Sequence, residues 1–527
     1  MLDATPLLRA YALRRRAALA RQDPAAAQRR ELLRLLERAR NTRFGLSHSF
    51  GGIREVAEYQ ERVRLRRWEE FWHDWWRKPF PRLADVTWPG VIPCFANTSG
   101  TAGAASKRIP VSRAMLRANR RAALDVLVHH LAARPHSRVM AGRNFLLGGS
   151  TALERVAPGI VAGDLSGLAV ADIPLWARPR SFPPPALALM ADWAQKIATL
   201  APLSLAAHVT SISGTPSWLL LFFEELGRGH PGARLGDLYP ALELVVHGGV
   251  GFAPYRAAFA AWLAGSRAET REVYPASEGF IAIADRGAGE GLRLLLDNGI
   301  FYEFVRPADL DAPWPERRWI ADAEIGVEYA LVLSTNAGLW SYVLGDTVTL
   351  LGRDPPRVLV TGRTGWSLSV AGEHLVGQEL DAGIAEAAAA VGGTVADYAA
   401  APLAPQAGDA RGGHLFIIEL TGAAPACATA FAAALDAALA RQNDDYATHR
   451  RGDYGLRPPC VRLMPPGGFA RWMAARGRLG GQNKVPRVIS DPALLDDLCR
   501  FAGGATSCSD AGVREAMRRS GRDGETG

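Results

Sequence analysis

The sequence predicts an α/β protein with a large N-terminal α/β domain and a smaller α+β domain after it. At 527 residues the chain is too long for one hydrophobic core. Amphipathic helices and short buried strands alternate along most of its length, which is typical of an α/β core. After Arg363 the composition shifts to alanine-rich helices. We therefore expect domains at residues 1–362 and 363–500, and a flexible tail at residues 501–527.

The predicted elements of the larger domain are three helices and three strands. The helices are predicted at residues 28–40, 68–76 and 113–131, and the strands at residues 242–247, 271–274 and 327–333.

The smaller domain is predicted to contain two helices and two strands. The helices are at residues 379–391 and 426–441, and the strands at residues 414–420 and 460–464. Two glycines in residues 361–365 (TGRTG) make this segment the expected junction between the domains.

Composition excludes several classes of protein. The chain is 48% hydrophobic and 22% charged, which describes a soluble globular protein. The net charge of +8 is dispersed, so no nucleic-acid partner is expected. The sequence contains no run of about 18 apolar residues, so no membrane span is expected. The five cysteines lack CxxC spacing, which argues against a zinc site or a disulfide framework and suits a reducing cytoplasm.

Lysine is rare, and two lysines lie in glycine-rich segments. Only four of the 61 basic residues are lysine, and Lys107 and Lys484 are the two near glycines. Lysine is a compact charge on a flexible stem, which suits contact with a phosphate. Lys78 and Lys196 lie outside such segments, so chance retention explains some of the four.

The first candidate motif is a loop at residues 98–107 (TSGTAGAASK). Hydroxyls and small residues allow several backbone N–H groups to point at one anion, and Lys107 adds charge. The spacing is not that of a Walker A loop. Taken alone, a plain surface turn explains the same residues.

Two acidic motifs follow. Glu278 lies in residues 274–279 (YPASEG), just after a predicted strand, where a carboxylate can bind magnesium. Asp346 ends residues 338–346 (GLWSYVLGD), where an aspartate can accept hydrogen bonds from a ribose. Each is also explained as a solvated turn residue when taken alone.

Taken together and in order, these motifs resemble those of the Gretchen Hagen 3 family of acyl-acid amido synthetases. That family belongs to the adenylate-forming superfamily of luciferase and acyl-CoA ligases. The resemblance spans roughly residues 28–490 and is carried by residues 98–107, 214–218, 274–278, 302–304, 338–346 and 481–487 (GQNKVPR).

The resemblance implies the adenylate-forming fold, with ATP and Mg²⁺ as cofactors and a carboxylic acid and an amino acid as substrates. The acid would first form acyl-AMP, and an amine would then take the acyl group. Glu278 and Lys484 are the implied catalytic residues, with Glu278 also the implied Mg²⁺ ligand. The implied ATP-binding residues are Ser99, Gly100, Thr101, Gly103, Lys107, Tyr274, Ser277, Tyr342, Asp346, Arg363 and His374.

The chain departs from the family pattern at four positions. Ala102 and Ala104 replace a serine and a glycine in the phosphate loop, and Val343 replaces an arginine. His374 stands near the place of a family lysine that contacts ATP. A histidine there can donate to a phosphate, and a surface histidine is the alternative.

By the same resemblance, the acid would bind between the helix at residues 113–131 and the loops at residues 214–218 and 248–252. The candidate acyl-binding residues are Arg121, His129, His130, Trp218, Gly249 and Phe252. Core packing or ion pairing explains these residues equally well.

Two other functions stay open at this point. An acyl-CoA ligase would form the same adenylate and differ in the acceptor. A non-catalytic nucleotide-binding protein on this fold is the alternative from another class, because Val343 and His374 alter family positions. The identities of the acid and the amine are also open.

Overall fold

The computed structural model describes most of the chain. The described residues are 2–98, 107–148, 153–190, 193–249, 252, 255–287, 290–310, 312–364, 367–373, 375–405, 409–421, 427–476, 485–503 and 506–507. Six of the residues predicted to bind ATP or act in catalysis lie outside them: Ser99, Gly100, Thr101, Gly103, His374 and Lys484.

The helices, in chain order, are α1 Thr5–Ala20, α2 Pro24–Ala39, α3 Arg43–Ser47, α4 Val56–Arg62, α5 Trp68–Phe71, α6 Arg113–Ala133, α7 Leu165–Ala171, α8 Pro185–Ala188, α9 Trp193–Leu205, α10 Pro216–Gly229, α11 Leu235–Leu238, α12 Arg256–Leu263, α13 Gly377–Ala390, α14 Ala428–Gln442, α15 Asp444–Arg450, α16 Gly468–Ala475 and α17 Pro492–Ala502.

The strands are β1 Cys94–Thr98, β2 Lys107–Val111, β3 Arg143–Leu147, β4 Glu154–Ala157, β5 Ile160–Gly163, β6 Ser181–Phe182, β7 Val209–Gly214, β8 Leu244–Gly248, β9 Glu269–Ala276, β10 Gly279–Ile283, β11 Leu292–Leu294, β12 Ile300–Val305, β13 Arg318–Trp319, β14 Glu328–Thr335, β15 Tyr342–Arg353, β16 Pro356–Arg363, β17 Ser367–Leu368, β18 Leu375–Val376, β19 Thr394–Leu403, β20 Gly413–Thr421 and β21 Cys460–Met464.

The predicted helices and strands are confirmed, with ends that differ by a few residues. Helix α2 begins earlier than predicted because Asp23 caps it, accepting a hydrogen bond from the backbone N–H of Ala26. The predicted helix at residues 68–76 begins as α5 and continues as a π-helical turn, Trp72–Trp76. None of the helices in the described ranges combines the length and apolarity that a membrane crossing requires.

A twelve-stranded mixed sheet forms the centre of the larger part of the chain. Strands β7, β8 and β9 pair in parallel, so their carboxyl ends meet at one edge of the sheet. Residues 214–218, 248–252 and 274–279 follow these ends. The fold therefore brings two of the motifs that carry the family resemblance, and one loop of the predicted acyl site, to a single edge, which we call the carboxyl edge.

Residues 98–107 connect two strands of a separate four-stranded sheet. Strands β1 and β2 pair antiparallel, and Thr98 lies opposite Lys107 at the end of the pair next to the connecting loop. The two ends of the predicted phosphate loop are therefore neighbours, and Lys107 is fixed on a strand.

The residues after Arg363 have two core clusters of their own, built on the β19–β20–β21 sheet and helices α13, α14, α16 and α17. We call residues 367–507 the C-terminal module. The flexible tail predicted at residues 501–527 stays a prediction for residues 508–527, which lie outside the described residues. Helix α17 ends at Ala502, and Ser507 donates its backbone N–H to the carbonyl of Val461.

Two further expectations differ from the structure. Thr361, Gly362 and Arg363 continue strand β16, so the chain leaves the large sheet only after Arg363. Cys460 is disulfide-bonded, whereas Cys94 and Cys427 are free thiols. The expectation that the cysteines are reduced is wrong at Cys460.

Gly338 should tolerate no side chain. Its φ of +89° is in the left-handed region, and an added Cβ would lie 2.7 Å from the carbonyl carbon of Thr87. We expect Gly338→Ala to lower the free energy of unfolding by about 3 kcal/mol. Chemical denaturation measures this.

Gly326→Ala is the matched control, because Gly326 has a similar φ of +79° with no atom near the added Cβ. We expect it to cost about 1 kcal/mol. Equal losses in the two variants would show that the contact with Thr87 contributes nothing.

Candidate functional site

Glu278 lies in the turn between β9 and β10 at the carboxyl edge, as predicted. Its side chain is buried, and the hydroxyl of Tyr342 hydrogen-bonds to its carboxylate. Burial raises the pKa of Glu278 to about 7, and the charge of Asp346 adds to the rise, against the smaller opposing effects of Tyr342 and Arg363. Near neutral pH this carboxyl is therefore poised between its protonated and charged forms.

Asp346 lies within strand β15, not after a strand end as predicted. Gly345 before it has a φ of +96°, and the register of β15 against β14 shifts in the same region. This irregularity is a β-bulge, which redirects the side chain that follows it. The hydroxyl of Tyr274 donates to Oδ2 of Asp346, and Nε of Arg363 lies 3.2 Å from Oδ1.

The two carboxylates are thus held by two tyrosines. Burial raises the pKa of both Tyr274 and Tyr342 well above the usual value, and the neighbouring carboxylates raise it further. Both hydroxyls therefore stay protonated and donate. We call Glu278 and Asp346, with Tyr342 and Tyr274 as their donors, the carboxylate pair.

A buried polar network fixes the start of β15 behind the carboxylate pair. Glu303 is fully buried, and its Oε1 accepts hydrogen bonds from Nε and Nη2 of Arg317 at 2.9 and 2.8 Å. Oγ of Ser341 donates to Oε2 of Glu303 at 3.2 Å. The backbone of Arg66 pairs with Ser341 and Val343 on either side of Tyr342. Tyr342 is therefore held from both directions.

Lys107 is connected to Tyr342 of the carboxylate pair through Glu69. Its Nζ is 2.9 Å from Oε1 of Glu69 and 5.8 Å from the ring centroid of Trp68. The charge of Glu69 contributes to the raised pKa of Tyr342, so Glu69 is close to that hydroxyl. The predicted phosphate-loop lysine and the predicted metal ligand consequently share one region.

The carboxylate pair fits a divalent cation bound by oxygen. Glu278 is buried beside a second negative charge, which disfavours its charged form unless a cation is present. Mg²⁺ commonly binds one or two carboxylates together with waters and substrate phosphates. Among the residues that the structure describes, no group of three or more His, Cys, Asp or Glu side chains forms a complete metal site. A metal here would need ligands from a bound substrate.

Two of the candidate acyl-binding residues, Arg121 and His130, have internal partners instead. Arg121 donates to the backbone carbonyl of Asp297. His130 is buried, with Nδ1 2.7 Å from Glu269 and Nε2 2.8 Å from Ser137. His129 is also buried, burial lowers its pKa to about 4, and its Nε2 has no hydrogen-bond partner among the described residues. The contacts of Arg121 and His130 add no support for binding an acid, and the prediction for His129 stays a prediction.

The other three candidates lie around the carboxyl edge. Gly249 is exposed after β8, and Phe252 is buried with its ring 3.7 Å from the ring of His247. Trp218 is on α10, and its Nε1 donates to Nδ1 of His449 at 3.1 Å. Of the three, Trp218 has a partner that sequence inspection does not reveal, because His449 belongs to the C-terminal module.

Sequence reasoning missed Glu69 and the support network of Glu303. Glu69 lies in a tryptophan- and arginine-rich stretch that carries no motif. Glu303 was noticed only as part of residues 302–304. Ser277 has the predicted position beside Glu278 and is partly buried.

Replacing Glu278 by glutamine should stabilise the protein in a pH-dependent way. The folded-state pKa of about 7 is above the ordinary glutamate pKa of 4.5, so the wild type loses stability as pH rises from about 4.5 to 7. Glutamine removes this loss and can still accept from Tyr342. We expect Glu278→Gln to be more stable by about 2 kcal/mol at pH 8.

The measurement is urea denaturation of both proteins without nucleotide at pH 5 and pH 8. Near pH 5 the difference should almost vanish, because the wild-type carboxyl is then mostly protonated in the folded state. A stability difference that is the same at both pH values would contradict the raised pKa.

Comparison with family models identifies three matched regions. The GH3 family N-terminal domain matches residues 14–151, the GH3 family central domain matches residues 293–363, and the GH3 family C-terminal domain matches residues 378–493. The matched regions occur in family order and together cover more than half of the chain. They confirm the resemblance drawn from the motifs.

Curated relatives are more distant. The chain is 28% identical over 202 residues to the probable indole-3-acetic acid-amido synthetase GH3.4 of Oryza sativa subsp. japonica, covering 36% of this chain and 32% of that protein. It is 28% identical over 206 residues to the probable indole-3-acetic acid-amido synthetase GH3.2 of the same organism, covering 36% and 33%. The chain thus matches about a third of the length of these relatives.

Solved structures extend the similarity to the whole fold. The acyl acid amido synthetase AtGH3.15 in complex with 2,4-DB has a TM-score of 0.58 at 16% identity, covering 93% of this chain and 95% of that one. A 2-hydroxyisobutyryl-CoA ligase in complex with 2-HIB-AMP and CoA has a TM-score of 0.56 at 17% identity, covering 88% and 89%. These matches confirm the predicted fold class. The chain belongs to the GH3 family.

Proposed function

We propose that this protein activates a carboxylic acid with ATP, forming acyl-AMP and pyrophosphate, and then transfers the acyl group to the amine of an amino acid. Family membership supports adenylate formation. The observation that supports the proposal for this chain is the carboxylate pair, in which the charge of Asp346, the proposed ribose acceptor, acts on Glu278, the proposed cation ligand.

ATP binding rests on this pair and the elements around it. Asp346 accepts from Tyr274 and contacts Arg363, and a carboxylate has further lone pairs with which to accept ribose hydroxyls. Glu278 would hold Mg²⁺, which would neutralise charge on the phosphates when bound. Lys107 directly follows the loop that connects β1 and β2. This loop, with Ser99 and Thr101, would bind the phosphates through backbone N–H groups.

In the first half-reaction, a substrate carboxylate oxygen attacks the α-phosphorus of ATP and pyrophosphate leaves. Negative charge is crowded around phosphorus, so catalysis is mainly positioning and charge stabilisation. Lys484, from the C-terminal module, would neutralise the α-phosphate or the attacking carboxylate. His374 would contact a phosphate from the same module.

In the second half-reaction, the amine attacks the acyl carbon, AMP leaves and the amine loses a proton. Movement of the C-terminal module after Arg363 would separate the two steps and keep water from the adenylate. An acyl-CoA ligase is the second candidate, because a CoA ligase has the same fold at similar TM-score. A non-catalytic nucleotide-binding protein is the third.

A pyrophosphate-release screen tests the proposal. The purified protein is incubated with Mg·ATP and a panel of carboxylic acids, alone, with the twenty amino acids and with CoA. Acid-dependent pyrophosphate release with an amide product, identified by mass spectrometry, is the expected result. A thioester product would favour the CoA ligase, and ATP binding without pyrophosphate release would favour the non-catalytic protein.

Lys484→Ala should abolish most of the first half-reaction. Loss of one charge that stabilises the transition state costs about 3 kcal/mol, so acid-dependent ATP–pyrophosphate exchange should fall about a hundredfold. Transfer from separately supplied acyl-AMP should fall much less, because the charge acts at phosphorus.

Lys78→Ala is the control, because Lys78 is an exposed lysine outside the family motifs. It should retain wild-type exchange. If Lys484→Ala also exchanges pyrophosphate at the wild-type rate, Lys484 has no part in adenylation.

A further inference from the structure

Trp218 joins the large sheet region to the C-terminal module. It is on α10, directly after the carboxyl end of β7, and its indole Nε1 donates to Nδ1 of His449 on α15 at 3.1 Å. The two rings also contact each other, with centroids 5.2 Å apart. His449 is 6% exposed. The hydrogen bond therefore lies in a site that is largely closed to water.

Two further hydrogen bonds connect the same surfaces. The backbone N–H of Ala410 donates to Oε1 of Glu224 on α10 at 3.1 Å, and the hydroxyl of Tyr255 donates to the carbonyl of Val370. Ala410 is buried within the hydrophobic cluster of α10 and α12, and Tyr454 packs against it. The C-terminal module thus docks on α10 and α12. We call the docking surface formed by Trp218, Glu224 and Tyr255 the seat of the module.

This seat is at the same edge of the sheet as the carboxylate pair. Trp218 follows β7, Tyr255 follows β8 and Glu278 follows β9, and these three strands are parallel neighbours. A module seated on α10 and α12 therefore lies beside the candidate site.

Glu373 makes the docked segment of the module rigid. Its carboxylate accepts the backbone N–H groups of Val370 and Ala371, both at 2.7 Å, and lies 2.6 Å from Nε2 of His414. Glu373 and His414 are both fully buried. These bonds fix the backbone of Val370, which accepts the hydrogen bond of Tyr255. His374 follows Val370 by four residues in the sequence.

The hydrogen bond of Trp218 requires an unprotonated Nδ1 on His449. Burial is the largest effect on the pKa of His449 and lowers it to about 4. The nearby charge of Glu373 acts in the opposite direction but is smaller. His449 is therefore neutral at pH 7, with Nδ1 free to accept.

We propose that Trp218 is a positioning residue that docks the C-terminal module at the carboxyl edge through His449, and that it is not a ligand of the acyl group. Its docking role rests on the contacts above. Its consequence for catalysis rests on the proposed function, because a docked module would keep water from the adenylate.

Hydrogen–deuterium exchange without substrate measures the docking directly. The N–H of Ala410 bonds across the seat, whereas the N–H groups of β20 bond within the C-terminal module. Losing one hydrogen bond of ordinary strength should raise the undocked population about fivefold. We expect Trp218→Phe to speed exchange at Ala410 about fivefold and to leave exchange in β20 unchanged.

Matched variants separate the hydrogen bond from general packing. Trp262→Phe alters a tryptophan of the same cluster that contacts Phe223 within the large region, and should leave Ala410 unchanged. His449→Phe should act like Trp218→Phe. His449→Asn should restore protection, because an amide oxygen can accept where Nδ1 does.

Wild-type exchange at Ala410 in Trp218→Phe would overturn the proposal. If Trp218→Phe loses protection in β20 and so fails to fold, the comparison of His449→Phe with His449→Asn decides whether the hydrogen bond matters. Equal exchange at Ala410 in those two variants also overturns the proposal.

Once an acid substrate is known, Trp218→Phe should form more AMP per amide than wild type while its KM for the acid is unchanged. A raised KM for the acid with normal docking would restore Trp218 to the acyl site. Absence of any pyrophosphate release in the wild type would refute the proposed function and leave the docking result intact.

Discussion

Burying a carboxylate beside a second negative charge is the constraint on which this site depends. Burial disfavours the charged form of Glu278, the charge of Asp346 adds to this effect, and the pKa of Glu278 rises to about 7. Two buried tyrosine hydroxyls and the guanidinium of Arg363 offset part of the free-energy cost of burying this charge. Such an arrangement is unfavourable for stability alone, and functional sites are where proteins keep it. A bound cation would remove the conflict.

The rest of the fold can be understood as support for this pair. Parallel strands β7 to β9 deliver Glu278 to an edge, and the β-bulge at Gly345 turns Asp346 toward Tyr274. The Glu303–Arg317 network holds the start of β15. The seat for the C-terminal module lies at the same edge. In the proposed function, the residues around the large sheet bind the nucleotide and the C-terminal module completes the active site. The docking surface and the reacting groups therefore have to lie at the same edge.

Much of this could be predicted from the sequence, since motif order and short buried strands are local signals. Glu278 was expected after a strand end, and it lies there. Contacts between residues far apart in sequence could not be predicted. Tyr274 bonds to Asp346, 72 residues away, and Trp218 to His449, 231 residues away. An aromatic residue in a loop near a predicted pocket resembles a ligand until its partner is known. The contacts of His130 with Glu269 and of Arg121 with Asp297 could not be predicted for the same reason.

Proton release on nucleotide binding tests the central claim most directly. If Mg·ATP binds at the carboxylate pair, Glu278 must change from a partly protonated to a charged group near pH 7. Calorimetric titration with Mg·ATP at pH 7, in buffers of different ionisation enthalpy, counts the protons released. The account predicts that the wild type releases about half a proton more than Glu278→Gln, given a pKa of about 7. Equal proton release from the two proteins, with both binding Mg·ATP, would contradict it.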